Sequence, residues 1–176
     1  MEKRRNPVLT ALRIIGIVIL VIVALFALLI GFLSVTEYKP ADIETVTVYG
    51  SGPDAVHEGD RLTVMSWNIG YGALGDNADF FMDGGTMVNT ATAGRVEENM
   101  ENILSYVKSV KPDLLLMQEA DISSDRSHRI NEVQYLRDSL TGYASTFTNN
   151  FKVAFLPYPV PPMGKVDSGL LRSEER

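Results

Sequence analysis

The sequence predicts an α+β domain standing behind one membrane-spanning helix. Three observations predict it. An uncharged apolar run occupies Ile14–Leu33, a strand–helix–strand pattern follows between Arg61 and Gln118, and short strand candidates separated by turn residues come after it.

The run "IIGIVILVIVALFALLIGFL" is apolar on every face, which a core helix of a soluble domain rarely is. At about 1.5 Å per residue it covers roughly the 30 Å of bilayer hydrocarbon. It is longer than the apolar region of a cleaved signal peptide, and "FLSVTEYKP" offers no small-x-small cleavage site, so a retained anchor is expected. Lys3, Arg4, Arg5 and Arg13 precede the run and only Lys39 follows closely. The positive-inside bias then keeps residues 1–13 in the cytoplasm and places everything after Ser34 outside it, in a single-pass cell-membrane protein.

Residues 34–60 read as a linker rich in turn residues and acids, with one short edge strand at Val46–Tyr49 and a solvated His57. The domain spans residues 61–176. "RLTVMSWN" is a strand ending at Asn68, and a long Gly- and Asp-rich loop follows, of the kind that is functional or disordered. Val96, Met100, Ile103, Leu104, Val107 and Val110 fall at helical spacing, with Thr92 as cap and Pro112 as stop. Asp113–Gln118 is then a buried strand, parallel to the first and beside it. Asn131 caps a second helix carrying Val133, Leu136 and Leu140. "YASTF" and "FKVAFL" read as antiparallel strands joined by a turn at "TNN". The four prolines of "PYPVPPMGKVDSG" exclude a central strand there.

Charge and cysteine content narrow the function. Residues 1–13 hold four of the 16 basic and one of the 22 acidic residues, which leaves the remainder at net −9. Such a body is a poor partner for nucleic acid. With no cysteine, disulfides and thiolate metal sites are excluded. Nothing points to an oligomer.

The parallel pairing puts Asn68 and Glu119 on one rim of the sheet, at the strand ends where open α/β sheets bind ligands. A carboxylate beside a carboxamide is hard-oxygen chemistry, suited to Mg²⁺ or Mn²⁺. The alternative is a solvated strand end. Trp67 reads as a core aromatic, and Asp83 in "MDGG" either approaches the metal or serves turn geometry. Arg126 could grip a phosphate oxygen or form a loop ion pair with Asp121 or Asp125. His128 is a surface residue or a substrate-loop contact.

"LTVMSWNIGYG" followed by "KPDLLLMQEAD" resembles the endonuclease/exonuclease/phosphatase superfamily, with its deoxyribonuclease-I-like fold, in an outward-facing bacterial membrane branch. "VDSGLL", Val166–Leu171, looks like the opening of its third conserved strand. The resemblance covers Arg61 to about Leu171, the N-terminal half of a four-layer α/β/β/α sandwich. It implies a metal-dependent phosphoester hydrolase with Glu119 and Asn68 as catalytic and metal-holding residues, Mg²⁺ or Mn²⁺ as cofactor, and a phosphoester such as a lipid headgroup as substrate. Arg126 and His128 would then contact the substrate. The family's Asp-x-Asn and Ser-Asp-His motifs do not follow Glu119. The alternative expectation is therefore a truncated, catalytically incompetent remnant, or a phosphate-binding module.

Overall fold

The computed structural model describes residues 6–51 and 56–174. Lys3, Arg4 and Arg5, on which the orientation argument leans, lie outside the described residues. The chain divides into two units, residues 1–37 and 38–176.

The first unit is one helix, α1, Pro7–Val35, of 29 residues. Asn6 caps it, its side chain accepting from Val8 N at 3.0 Å, and Pro7 occupies the first turn, where a missing N–H costs nothing. At about 1.5 Å per residue it is long enough to cross a bilayer. No residue of it is buried, and the expected Ile14–Leu33 run lies wholly inside it. By length and composition it could span a membrane or serve as a signal anchor.

The second unit is a mixed α/β domain built on one open sheet. Its strands are β1 (Val48–Tyr49), β2 (Val64–Asn68), β3 (Leu114–Asp121), β4 (Ala144–Leu156) and β5 (Gly164–Glu174), in the spatial order β1-β4-β5-β3-β2. Only β2 and β3 run parallel, with Asn68 opposite Gln118. Helix α2, Ala93–Val110, supplies their crossover. Thr92 Oγ1 accepts from Arg95 N, and the helix stops at Lys111, whose left-handed backbone precedes Pro112. Helix α3, Glu132–Ser139, is capped as expected by Asn131, which accepts from Gln134 N at 2.8 Å.

Two apolar clusters hold the domain together, the smaller formed by Phe80, Val88, Met163 and Val166 and the larger by the helices and the sheet. Val96, Met100, Ile103 and Val107 of α2 meet Leu115 and Met117 of β3, Leu171 of β5, and Val133 and Leu136 of α3. Burial alternates along β3 from Leu114 to Gln118, as the pleat requires, so Leu114 and Leu116 face away from that core and are half-buried. Val64 and Leu170 are exposed, at 55% and 40%.

Three expectations need correction. "TNN" is no turn: β4 runs unbroken for 13 residues, and the register against β5 slips between Asn149 and Phe151. Asn149 ties this bulge down by donating to Asp167 Oδ1 at 2.7 Å and Ser168 O at 3.2 Å. The proline-rich segment does not extend to the end of "GKVDSG". The prolines stop at Pro162, and β5 begins at Gly164 as the middle strand of the sheet. The strand expected from Arg61 starts at Val64, and β3 runs on to Asp121.

Candidate cleft at the strand ends

Asn68 ends β2, and Glu119 lies one residue beyond its register partner on β3. The two meet as expected: Asn68 Nδ2 donates to Glu119 Oε1 at 2.9 Å. Gly70 N donates to Asn68 Oδ1 at 2.9 Å, which fixes the carboxamide with its NH2 toward the carboxylate. Asn68 thus acts as a clamp on Glu119, and its own oxygen is turned to the backbone.

Glu119 is aimed by a distortion. The pairing of β3 with β5 slips between Met117 and Ala120, and Glu119 has φ 55°. A left-handed non-glycine inside a strand costs about 1–3 kcal/mol and persists only where the surroundings impose it. Such bulges re-aim a side chain beside binding sites.

A second strained position adjoins it. Gly70, Tyr71 and Gly72 have φ of 55°, 44° and 61°. The two glycines accept this freely; Tyr71 does not. A Cβ on Gly72 would press on Val96 and Glu132, so the chain passes tight against α2 and α3. The turn drives the Tyr71 ring into the core at 1% exposure, with the Arg126 guanidinium 3.8 Å from its centroid.

Arg126 lines the same cleft and makes three hydrogen bonds within the protein. Its Nε and Nη2 donate to Asp121 Oδ2 at 3.2 Å and Oδ1 at 3.0 Å, and Nη2 also donates to Ser168 Oγ at 3.1 Å. Ser127 Oγ donates to Asp121 Oδ2 at 2.8 Å. Of the alternatives in the sequence, the ion pair with Asp121 is the one formed, and it is buried on both sides. Asp125 pairs instead with Arg129 at 2.9 Å. The Lys165 N–H and Arg129 hold its carboxyl below the usual carboxylate range, although partial burial opposes them. Beneath this network, Glu132 has no exposed surface and accepts from Asp121 N at 2.9 Å. Burial pushes its carboxyl well up, helped by the Asp121 charge and opposed by that hydrogen bond and Arg126.

These groups open on a cleft of about 770 Å³. Its polar lining is Asn68, Asp83, Glu119, Arg126, Asn150 and Ser168. Phe81, Met82, Phe151 and Tyr158 contribute apolar surface, with the Phe81 and Tyr158 rings edge-on at 6.0 Å. The structure therefore gathers Asn68, Glu119, Arg126 and Asp83. His128 is not among the lining residues: it is exposed, its Nε2 2.7 Å from Ala91 O. His57 is exposed beside Asp60, as expected. Trp67 packs against the core and edge-on to Tyr106.

Tyr71, Ser168 and the aromatic lining went unread in the sequence. "GYG" was the available signal for the first, since a tyrosine between two glycines marks a turn that glycine alone would tolerate easily. Glu119 has no cluster around it: among the described residues no group of three or more His, Cys, Asp or Glu could hold a metal. The donor set still fits Mg²⁺, which commonly takes one or two protein carboxylates and completes its shell with water and substrate phosphate. No family model, no curated protein and no solved structure matches this chain.

Proposed function

We propose that the domain is a divalent-metal-dependent phosphoester hydrolase of the endonuclease/exonuclease/phosphatase type, tethered to the cell membrane by α1 and displayed outside the cytoplasm. The observation that carries this reading is the clamp of Asn68 on Glu119 at the ends of two parallel strands, 2.9 Å apart. Two further features support it. One sheet carries helices α2 and α3 against the larger of its two apolar clusters, as half of an α/β/β/α sandwich would. The cleft combines a carboxylate with apolar walls, which favours a phosphoester bearing an apolar group, such as a lipid headgroup with its chains.

In this reading Glu119 holds Mg²⁺ or Mn²⁺ and Asn68 keeps its carboxylate oriented, as outer-shell partners of metal ligands do. The bound metal would polarise a phosphoryl oxygen and lower the pKa of a water. Ser168 lines the cleft with its Oγ held by Arg126. Arg126 itself serves by neutralising Asp121 and seating the Tyr71 ring.

The test uses the full chain in detergent with bis(4-nitrophenyl) phosphate and a short-chain phospholipid, with Mg²⁺ or with EDTA. Metal-dependent hydrolysis that falls about 100-fold or more in Glu119→Gln is expected. Full activity in EDTA would refute the reading. A phosphate-binding module without turnover is the second reading. It is favoured by the cleft's lining, which among the described residues contains no histidine and only Glu119 and Asp83 as carboxylates. Metal-dependent binding of phosphorylated ligand with no product would select it.

A further inference from the structure

Among the described residues, four buried side-chain polar atoms have no hydrogen-bond partner: Tyr71 Oη, Arg95 Nε, Glu132 Oε1 and Thr146 Oγ1. Only Tyr71 belongs to a residue lining the cleft. Leaving such a group unpaired costs free energy comparable to a lost hydrogen bond, so an orphan at a cleft wall points to a partner that arrives with the ligand.

The placement is built. Tyr71 sits in a left-handed turn between Gly70 and Gly72, with its ring held from one side by the Arg126 guanidinium at 3.8 Å and edge-on by Phe80 at 6.3 Å. Rigid seating removes most of the entropy that an exposed tyrosine would lose on binding. The hydroxyl also remains protonated. Burial raises its pKa, the charges of Glu119, Asp121 and Asp83 add to that, and Arg126 opposes them. A phenol kept neutral beside anionic groups is a hydrogen-bond donor at every physiological pH. Arg126, the residue whose chemistry first suggests phosphate binding, has Nε and Nη2 already spent on Asp121 and Ser168.

We propose that Tyr71 is a ligand-contact residue, donating its hydroxyl hydrogen bond to a phosphoryl oxygen of the phosphoester bound in the cleft. This assignment rests on the phosphoester reading of the site. A preoriented neutral donor shielded from bulk water stabilises an oxyanion without having to reorganise. It complements Glu119, whose charge alone would repel that oxygen.

The experiment titrates inorganic phosphate into the detergent-solubilised full chain by calorimetry, with Mg²⁺ and with EDTA, for wild type, Tyr71→Phe and Glu119→Gln. Thermal midpoints of each protein are recorded with and without phosphate. Tyr71→Phe is expected to weaken phosphate binding about tenfold or more, the loss of one hydrogen bond to a charged acceptor. Its midpoint without phosphate should equal or exceed the wild-type value, because an orphan hydroxyl has been removed, and the phosphate-induced rise should shrink. A structural tyrosine would show the opposite pattern.

Wild-type affinity in Tyr71→Phe would overturn the assignment and leave the phosphoester reading standing. No phosphate binding by the wild type in either buffer would overturn both. Binding unchanged by EDTA and by Glu119→Gln, yet weakened in Tyr71→Phe, would support the tyrosine contact and remove the metal. Loss of a cooperative melt in Tyr71→Phe would reveal a structural partner for the hydroxyl and would also overturn the proposal.

Discussion

Replacing Arg126 with methionine keeps an unbranched apolar stem and removes the guanidinium that pairs Asp121. Asp121 has no exposed surface and the Arg126 side chain is 8% exposed, so water cannot step in to screen the orphaned charge. Of the carboxylate's partners, the two Arg126 hydrogen bonds at 3.0 and 3.2 Å disappear and the Ser127 hydroxyl at 2.8 Å remains. Breaking a buried pair from one side costs about 3–5 kcal/mol. For a domain of this size that corresponds to about 10–20 °C in thermal midpoint. Trp67 is the sole tryptophan and lies in β2, so its emission follows the domain and is blind to α1. The partner variant is Asp121→Leu combined with Arg126→Met. Removing both charges for apolar groups of similar size is often neutral, so the double variant should recover at least half the loss. A single variant within about 3 °C of wild type, or a double variant worse than the single, would refute the buried-pair account.

Glu132→Gln keeps the acceptor for Asp121 N and removes the titration. The folded carboxyl titrates well above 4.5, so its contribution is fully present below about pH 4.5 and is lost as pH rises toward the folded value. Glu132→Gln should therefore melt above wild type at pH 8 and converge with it near pH 4.5; a gap independent of pH would contradict the assignment. Gly169→Ala places a Cβ against the Thr148 carbonyl oxygen and the Phe147 ring, where the neighbouring strand cannot yield. It should destabilise the sheet by about 1–3 kcal/mol in a urea titration followed by Trp67, and no change in midpoint would mean the strands part more easily than their register implies.

The local rules written into single segments were legible. Thr92 and Asn131 announce their helices because a cap needs only the few residues after it, and the spacing of Val96, Met100, Ile103 and Val107 records one buried face. The meeting of Asn68 with Glu119 followed from the parallel pairing of β2 and β3 alone. What escaped depends on distant partners. "TNN" has turn residues, yet Asn149 finds Asp167 and Ser168 on β5, and that cross-strand bonding keeps β4 extended through the bulge. For Arg126 a phosphate contact and an ion pair with Asp121 or Asp125 stay open in the sequence, because nothing in its neighbourhood tells which carboxylate will be buried with it. Tyr71 was silent for a related reason. Its importance lies in having no partner, and only a folded interior makes an unpaired hydroxyl conspicuous.

The position of β5 constrains how this domain comes into being. It is the middle strand of the sheet, yet it is synthesised after the other four. Until Glu174 has left the ribosome, Leu114 has no antiparallel partner, and the apolar ribbon from Leu114 to Met117 is an open edge waiting through 60 residues of synthesis. Such an edge invites pairing with a neighbouring nascent chain. Lesions in β5 should consequently be felt first as insoluble protein and proteolysis, before any ligand is encountered.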